Sequence, residues 1–208
     1  MAMSLKAVFL DKDGTIIEDD VFTRQAGEIR LMSGSEAGLH LLHRGGYALI
    51  VVTNQGGIAQ GRLTIESLMH EERGLQVTLS AQEIPLAGFY YCPHHPEGSV
   101  ASLRRHCMCR KPKPGLLMKA ADELHIDLHR SWMIGDILND VEAGRGAGCK
   151  TILLTNGHET EWDMKPTRWP DFLADNLLEA AHLIMIADHF MAGGEHPSFG
   201  SHEEDTWI

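Results

Sequence analysis

Short apolar runs alternate with amphipathic segments along this chain, and this alternation is the feature that most restricts its possible folds. Buried strands are predicted at 6–10, 47–54, 87–92, 131–136 and 150–155. Helices are predicted at 35–46, 64–81, 115–124, 140–148 and 175–190. Strands that alternate with helices form a parallel sheet covered on both faces. The sequence therefore predicts an α/β fold with a Rossmann-like, three-layer parallel sheet.

The length and charge of the chain restrict its class further. Its 208 residues suit one domain, expected to span 1–192, followed by a polar, mobile tail at 193–208. A net charge of −11 argues against a nucleic-acid-binding protein, which needs a basic face. No apolar run has membrane-spanning length, and the N-terminus lacks a signal-peptide pattern. We therefore expect a cytoplasmic monomer with no nucleic-acid or membrane partner.

Polar side chains follow three of the predicted strands at their carboxyl ends, where doubly wound sheets bind ligands. These side chains belong to Asp11, Asp13, Thr53, Asn54, Asp136 and Asp140. Asp11 and Asp13 are two residues apart on a chain leaving a strand, so they point the same way. Neighbouring carboxylates repel unless a cation lies between them. Mg²⁺ prefers a few carboxylates, waters and a substrate phosphate, so the pattern predicts a magnesium site.

Four segments, FLDKDGT, VVTNQGG, RKPKPG and MIGDILND, occur in this order between about Lys6 and Asp140. They resemble the four motifs of the haloacid dehalogenase superfamily. The resemblance implies phosphoryl transfer through an aspartyl phosphate. The segment between Asp13 and the first predicted helix is too short for a large cap domain. Small loops are therefore expected to shape the substrate site.

The groups in these motifs suit phosphate-ester hydrolysis. Asp11 would attack phosphorus as a carboxylate nucleophile. Asp13 would protonate the leaving alkoxide and then take a proton from the attacking water. Thr53 and the backbone N–H of Asn54 would form hydrogen bonds with the oxygens of the transferring phosphoryl group, and Lys111 would neutralise the charge of these oxygens.

The expected magnesium ligands are Asp11, Asp13 and Asp136, with the Asp13 position contributing its backbone carbonyl, as the resemblance implies. We expect Asp140 to support these ligands from behind. Asn139 either supports the metal shell or only caps the following helix. Lys113, in the same run as Lys111, is expected to be solvated.

The stretch CPHHPEGSVASLRRHCMCRK contains a second group of metal ligands. Cys92, His94, Cys107 and Cys109 form a Cys₃His set, which suffices for a closed tetrahedral zinc site. His95 and His106 compete with His94 as the imidazole ligand. With no export signal, metal ligation is favoured over disulfides. Structural zinc would stiffen the loop so that the two cations after Cys109 reach the phosphate.

The same stretch narrows the resemblance to zinc-loop phosphatases for D-glycero-D-manno-heptose 1,7-bisphosphate or histidinol phosphate, and the heptose group is the closer match. It implies hydrolysis of the sugar 7-phosphate and a role in lipopolysaccharide precursor synthesis. The substrate-facing residues it implies are Asp19, Asp20, Val21, Phe22, Thr53, Asn54, Gln55, Gly56, Arg110 and Lys111. Gln60 and Ile137 stand where such enzymes often have basic residues, and Arg62 is a possible substitute.

Two other functions fit the sequence. One is a histidinol-phosphatase, or a phosphatase for another small phosphomonoester. The other is a zinc-stabilised binding module on an inactive phosphatase fold. All the expected catalytic residues are present, which argues against the binding module.

Overall fold

A computed structural model describes residues 4–18, 29–157 and 163–192 of the chain. Its strands are β1 (Ala7–Leu10), β2 (Ala48–Asn54), β3 (Gly88–Cys92), β4 (Trp132–Gly135), β5 (Lys150–Leu154) and β6 (Phe172–Ala174). Its helices are α1 (Ser35–Arg44), α2 (Ile65–Ser80), α3 (Gly115–Leu124), α4 (Leu138–Ala147) and α5 (Leu177–Ala192). Short 3₁₀ helices cover Leu128–Arg130 and Pro166–Arg168. The predicted α/β class is confirmed.

The six strands form one parallel sheet in the order β3–β2–β1–β4–β5–β6. The chain leaves β1 toward one edge and later crosses back to β4, so the strand order reverses beside β1. Leu10 aligns with Val51 of β2 and with Ile134 of β4. The carboxyl ends of these three strands therefore meet at one level, at the place where such sheets bind ligands.

The alternating faces of β1 bury two separate layers of the core. Val8 and Leu10 belong to the cluster that includes Leu39 of α1 and Ile184 of α5. Ala7 and Phe9 face the opposite layer, which includes Leu117 of α3. Side chains of a strand alternate between faces, so a strand buried on both sides must be apolar throughout. This explains why AVFL reads as a continuous apolar run.

The structure adds one strand to the predicted set, and helices α1, α4 and α5 begin or end at residues other than those predicted. Strand β6 was not predicted, because it is short and Phe172 and Leu173 are 38% and 54% exposed, which leaves no apolar run to detect. The N-cap of helix α1 is Gly34, with φ of +81°. The hydroxyl of the next residue, Ser35, donates to the Thr15 carbonyl.

The N-terminus of α2 follows the sequence closely. Thr64 and Ser67 form a reciprocal capping box in which each side chain accepts from the other residue's backbone N–H. None of the helices in the described ranges combines the length and apolarity that crossing a membrane requires. The predicted tail at 193–208 lies outside the described residues.

Candidate active site and metal centres

Three buried carboxylates meet at the carboxyl ends of β1 and β4. Asp11 follows β1, Asp136 follows β4, and Asp140 lies in the first turn of α4. Each offers one oxygen, and these oxygens all lie within 4.8 Å of one another. Burial raises the pKa of Asp11 to about 7 and that of Asp136 to about 8, and the Asp140 charge adds to both rises. This carboxylate cluster is thus held together against mutual repulsion.

The Lys111 ammonium is the positive charge closest to this cluster among the described contacts. Its Nζ lies 2.8 Å from Asp11 Oδ1 and 2.6 Å from Asp140 Oδ1. It also donates to the Val52 carbonyl at 2.8 Å. Burial opposes the charge, but both carboxylates raise the pKa of Lys111 above its usual range. Three carboxylates against one ammonium still leave an excess of negative charge.

Asn54 fixes the backbone of Lys111. The Asn54 amide donates to the Lys111 carbonyl at 3.0 Å, and the Lys111 N–H donates to Asn54 Oδ1 at 3.0 Å. The following Lys111–Pro112 peptide bond is cis. These paired bonds place a lysine from the loop after the cysteines beside a nucleophile from β1.

The residues of the carboxylate cluster fit a hard divalent cation. Carboxylate oxygens are the ligands that Mg²⁺ prefers, and the excess negative charge needs one. Gly14 has φ of +74°, and a Cβ there would lie 2.1 Å from Asp136 Oδ2. Only glycine therefore lets the backbone of the DKDGT loop approach Asp136 so closely.

The carboxylate of Asp13 lies beside the cluster and is held by other groups. Its Oδ2 accepts from Gln55 Nε2 at 3.0 Å, and its Oδ1 lies 3.2 Å from Lys12 Nζ. The same Gln55 amide donates to Thr53 Oγ1 at 2.9 Å. The structure therefore brings Asp11, Asp13 and Thr53 to one edge of the sheet and places the Asp140 carboxylate in the cluster.

Asn139 faces another part of the molecule. Its Oδ1 accepts from Arg168 Nη2 at 3.1 Å, and Arg168 also pairs with Glu142 at 2.7 Å. The next residue, Asp140, uses its Oδ2 to accept from the Ile137 N–H at 3.3 Å. This geometry favours a structural role for Asn139, and Asp140 both caps α4 and joins the carboxylate cluster.

The second group of ligands comes from both ends of the loop after β3. One atom from each of Cys92, His94, Cys107 and Cys109 lies within 4.8 Å of the others. Cys109 Sγ is 3.2 Å from Cys92 Sγ, 3.3 Å from Cys107 Sγ and 3.3 Å from His94 Nδ1. In a tetrahedral zinc site with Zn–S bonds of about 2.3 Å, the ligand atoms lie at separations comparable to these Sγ–Sγ and Sγ–Nδ1 distances. This thiol–imidazole cluster fits a closed structural zinc site.

The competing histidines lie outside the thiol–imidazole cluster. His95 Nδ1 accepts from the Glu97 N–H at 3.1 Å, and His106 is exposed. His94 is buried, and its burial together with the Arg105 charge lowers its pKa. A neutral imidazole is the form that binds metal, which favours His94 as the fourth ligand.

Contacts join the loop that carries the thiol–imidazole cluster to the loop after β2. Arg110 Nη1 donates to the His94 carbonyl at 3.3 Å. A Cβ on Gly56 would lie 3.0 Å from the same nitrogen, so the loop after β2 passes directly under Arg110. The Val100 N–H donates to the Ala59 carbonyl at 2.9 Å. The remaining substrate-facing expectations, Asp19, Asp20, Val21 and Phe22, lie outside the described residues.

Sequence reasoning missed Lys12. Its side chain is only 1% exposed, and its Nζ lies 2.5 Å from Glu71 Oε2 on α2. No local pattern marks this burial, because lysine is mostly exposed and a long side chain at the end of a strand usually reaches solvent. Its partner on α2 is distant in sequence, so only the fold reveals the pair.

This combination of a doubly wound sheet, a buried carboxylate cluster and a lysine is typical of phosphoryl-transfer enzymes that use an aspartate nucleophile. The family model described as HAD-hydrolase-like matches residues 108–180. The chain is 42% identical, over 74% of its length and 82% of the relative, to D-glycero-beta-D-manno-heptose-1,7-bisphosphate 7-phosphatase of Salmonella typhi. It is 37% identical to the Pasteurella multocida enzyme of that name, over 86% of this chain and 96% of the relative.

A solved structure supports the fold. The D,D-heptose 1,7-bisphosphate phosphatase of B. bronchiseptica, complexed with magnesium and phosphate, matches with a TM-score of 0.74 at 23% identity. The match covers 88% of this chain and 99% of that one. The chain belongs to the haloacid dehalogenase-like hydrolases, in the family of these D-glycero-beta-D-manno-heptose-1,7-bisphosphate 7-phosphatases. The resemblance inferred from the motifs is confirmed.

Proposed function

We propose that this protein is a Mg²⁺-dependent phosphatase that hydrolyses the 7-phosphate of D-glycero-D-manno-heptose 1,7-bisphosphate. One observation carries the proposal. The buried carboxylate cluster and Lys111 lie where the strand order of the sheet reverses, and together they offer both a nucleophile and a cation site. The substrate is proposed from relatives at 37–42% identity, which are named for this activity.

Asp11 is the nucleophile and Asp13 the general acid and base. Asp11 attacks phosphorus, the bond from phosphorus to the sugar oxygen breaks, and Asp13 gives its proton to that oxygen. Asp13 then takes a proton from water, whose oxygen attacks phosphorus and breaks the bond to Asp11. Inorganic phosphate leaves, and Asp11 is a carboxylate again.

The remaining polar groups bind and orient the phosphoryl group. Lys111, Thr53 and the Asn54 N–H hold its oxygens as their charge grows. When bound, Mg²⁺ neutralises the phosphate charge that otherwise repels a carboxylate. Asp11, Asp136 and the backbone carbonyl of Asp13 would hold it, with Asp140 beside them.

The zinc site is proposed to be structural. Its four protein ligands leave no open position for a substrate.

Arg110 follows Cys109 directly and lies over Gly56, where its planar guanidinium suits a second phosphate. Gln60 and Ile137 supply no cation for that phosphate, so histidinol phosphate remains the competing substrate. We also propose a cytoplasmic monomer that serves lipopolysaccharide precursor synthesis.

The test is phosphate release, with Mg²⁺, from heptose 1,7-bisphosphate and from histidinol phosphate. We expect a clear preference for the bisphosphate. Asp11→Asn keeps the shape of the side chain and removes the nucleophile, so release should fall by about 10⁴-fold or more. A wild type no faster than Asp11→Asn would support the binding-module alternative. A preference for histidinol phosphate would support the alternative enzyme.

A further inference from the structure

Lys12 is a fully buried charge to which the mechanism above gives no role. Lysine is almost never fully buried unless it is paired. Its Nζ lies between two carboxylates, 2.5 Å from Glu71 Oε2 and 3.2 Å from Asp13 Oδ1. Glu71 thus anchors the ammonium to α2, and the ammonium reaches back to the proposed general acid.

The other oxygen of Asp13 is held from a different direction. Gln55, which is 4% exposed, donates from Nε2 to Asp13 Oδ2 at 3.0 Å and to Thr53 Oγ1 at 2.9 Å. Two donors from separate elements therefore contact the two oxygens of one carboxylate. Rotation of that carboxylate would break at least one contact, so its orientation is fixed.

A general acid must present its proton to the leaving oxygen within hydrogen-bond reach. A displacement of about 1 Å is enough to lower a rate by about 10²-fold. The Asp13 side chain is 19% exposed, whereas Lys12 is 1% exposed. The lysine therefore acts from behind Asp13, and it does not itself line the accessible part of the site.

We propose that Lys12 is a positioning residue: its ammonium, anchored by Glu71, holds the Asp13 carboxyl against Gln55 in the orientation for proton transfer. The inference rests on the proposed function, since it requires Asp13 to protonate the leaving group. It differs from the role of Lys111, whose ammonium contacts the nucleophile Asp11.

The leaving group separates positioning from a structural role. An alkoxide needs protonation as it leaves, whereas 4-nitrophenolate departs without it. Lys12→Met should therefore lower kcat/KM for heptose 1,7-bisphosphate by about 10- to 100-fold and for 4-nitrophenyl phosphate by less than about 3-fold. Hydrolysis of the aspartyl phosphate also needs Asp13, so the variant should show a burst of 4-nitrophenolate.

Two further variants control for folding. Glu71→Gln keeps the ammonium and weakens its anchor, so it should show the same selective loss at smaller size; if Lys12→Met does not fold, this variant decides. Lys6→Met removes the Lys6–Asp188 pair, 2.9 Å long and remote from Asp13, and should leave the ratio of the two substrates unchanged.

Equal losses on both substrates in Lys12→Met and Glu71→Gln would overturn the inference and leave the proposed function standing. The same selective loss in Lys6→Met would also overturn it. A wild type no more active than Asp11→Asn would overturn the proposed function and this inference together.

Discussion

The carboxylate cluster and the thiol–imidazole cluster both offer side chains that can hold a metal ion, but the chain assembles them differently. The thiol–imidazole cluster comes from one loop, between Cys92 and Cys109, and all four positions of a tetrahedron are filled by protein. The carboxylate cluster joins Asp11 with Asp136 and Asp140, which are distant from it in sequence. With Mg²⁺ bound, these carboxylates would leave positions for water and phosphate.

The electrostatics of the two clusters also differ. Burial raises the pKa of the Cys92 thiol, so without metal this thiol keeps its proton. The carboxylates repel one another, and Lys111 only partly balances them. A cluster with no free ligand position is suited to a structural metal. An open cluster with negative charge is suited to binding an anionic substrate through a cation.

After the loss of the nucleophile itself, the largest expected effect comes from the ammonium of the carboxylate cluster. Lys111→Met should lower kcat by about 10²- to 10³-fold, because it removes a preorganised charge from the transferring oxygens. Zinc content should remain unchanged. Steady-state kinetics and metal analysis measure both.

Lys113→Met is the matched control, because Lys113 is an exposed lysine of the same RKPKPG run. Its kinetics should equal those of the wild type. Similar losses in both variants would mean that the general charge of the loop matters more than the contacts of Lys111.

Breaking the zinc site should have a smaller effect on activity. Cys107→Ser should release zinc, lower the unfolding midpoint and reduce kcat/KM by about 10- to 100-fold, because Arg110 and Lys111 lose their fixed position. Mg²⁺ affinity should stay nearly constant, since none of its proposed ligands comes from this loop.

Cys149→Ser provides the comparison for this prediction. Cys149 is buried in the core outside the thiol–imidazole cluster, so its replacement should lower stability without loss of zinc. Unchanged kinetics in a zinc-free Cys107→Ser protein would disprove the link between the two clusters.

The Mg²⁺-free protein should become more stable as the pH falls. The pKa values of Asp11, about 7, and Asp136, about 8, exceed the ordinary value of about 4. A carboxyl with a raised pKa contributes stability below its ordinary pKa and loses it as the pH rises through the folded value. The unfolding midpoint should therefore rise by several degrees between about pH 8.5 and pH 5.5.

Saturating Mg²⁺ should reduce this pH dependence, since the ion stabilises the ionised carboxylates. Asp136→Asn removes one of the titrating groups and should flatten the metal-free profile. The contrary result is an unfolding midpoint that falls when the pH is lowered from 8.5 to 5.5, by the same amount in the wild type and in Asp136→Asn. It would show that repulsion in the cluster is small.

The smallest effect is expected at Asn139, which lies next to the cluster in sequence but faces Arg168. Asn139→Ala should change kcat/KM by less than about 3-fold and lower stability by about 1 kcal/mol, the typical contribution of a hydrogen bond. Asp140→Asn, one residue further, should cause a much larger loss of activity. Equal losses of activity in both variants would indicate that Asn139 supports the metal site.

The sequence by itself determined the α/β class, five of the six strands of the sheet and the four side chains of the thiol–imidazole cluster. Buried parallel strands must be apolar throughout, so β1 and β2 are visible as continuous runs. The Cys₃His set is visible because its ligands are close in sequence. Strand β6, whose Phe172 and Leu173 are largely exposed, carries no such signal.

Only the tertiary structure decided which side chains share a contact. It turned Asn139 toward Arg168 and Asp140 toward Lys111, although the two residues are adjacent. It also brought Glu71 of α2 to the buried Lys12. The physical reason is that such pairs join elements remote in sequence, and their distances depend on sheet register and helix packing that no local pattern specifies.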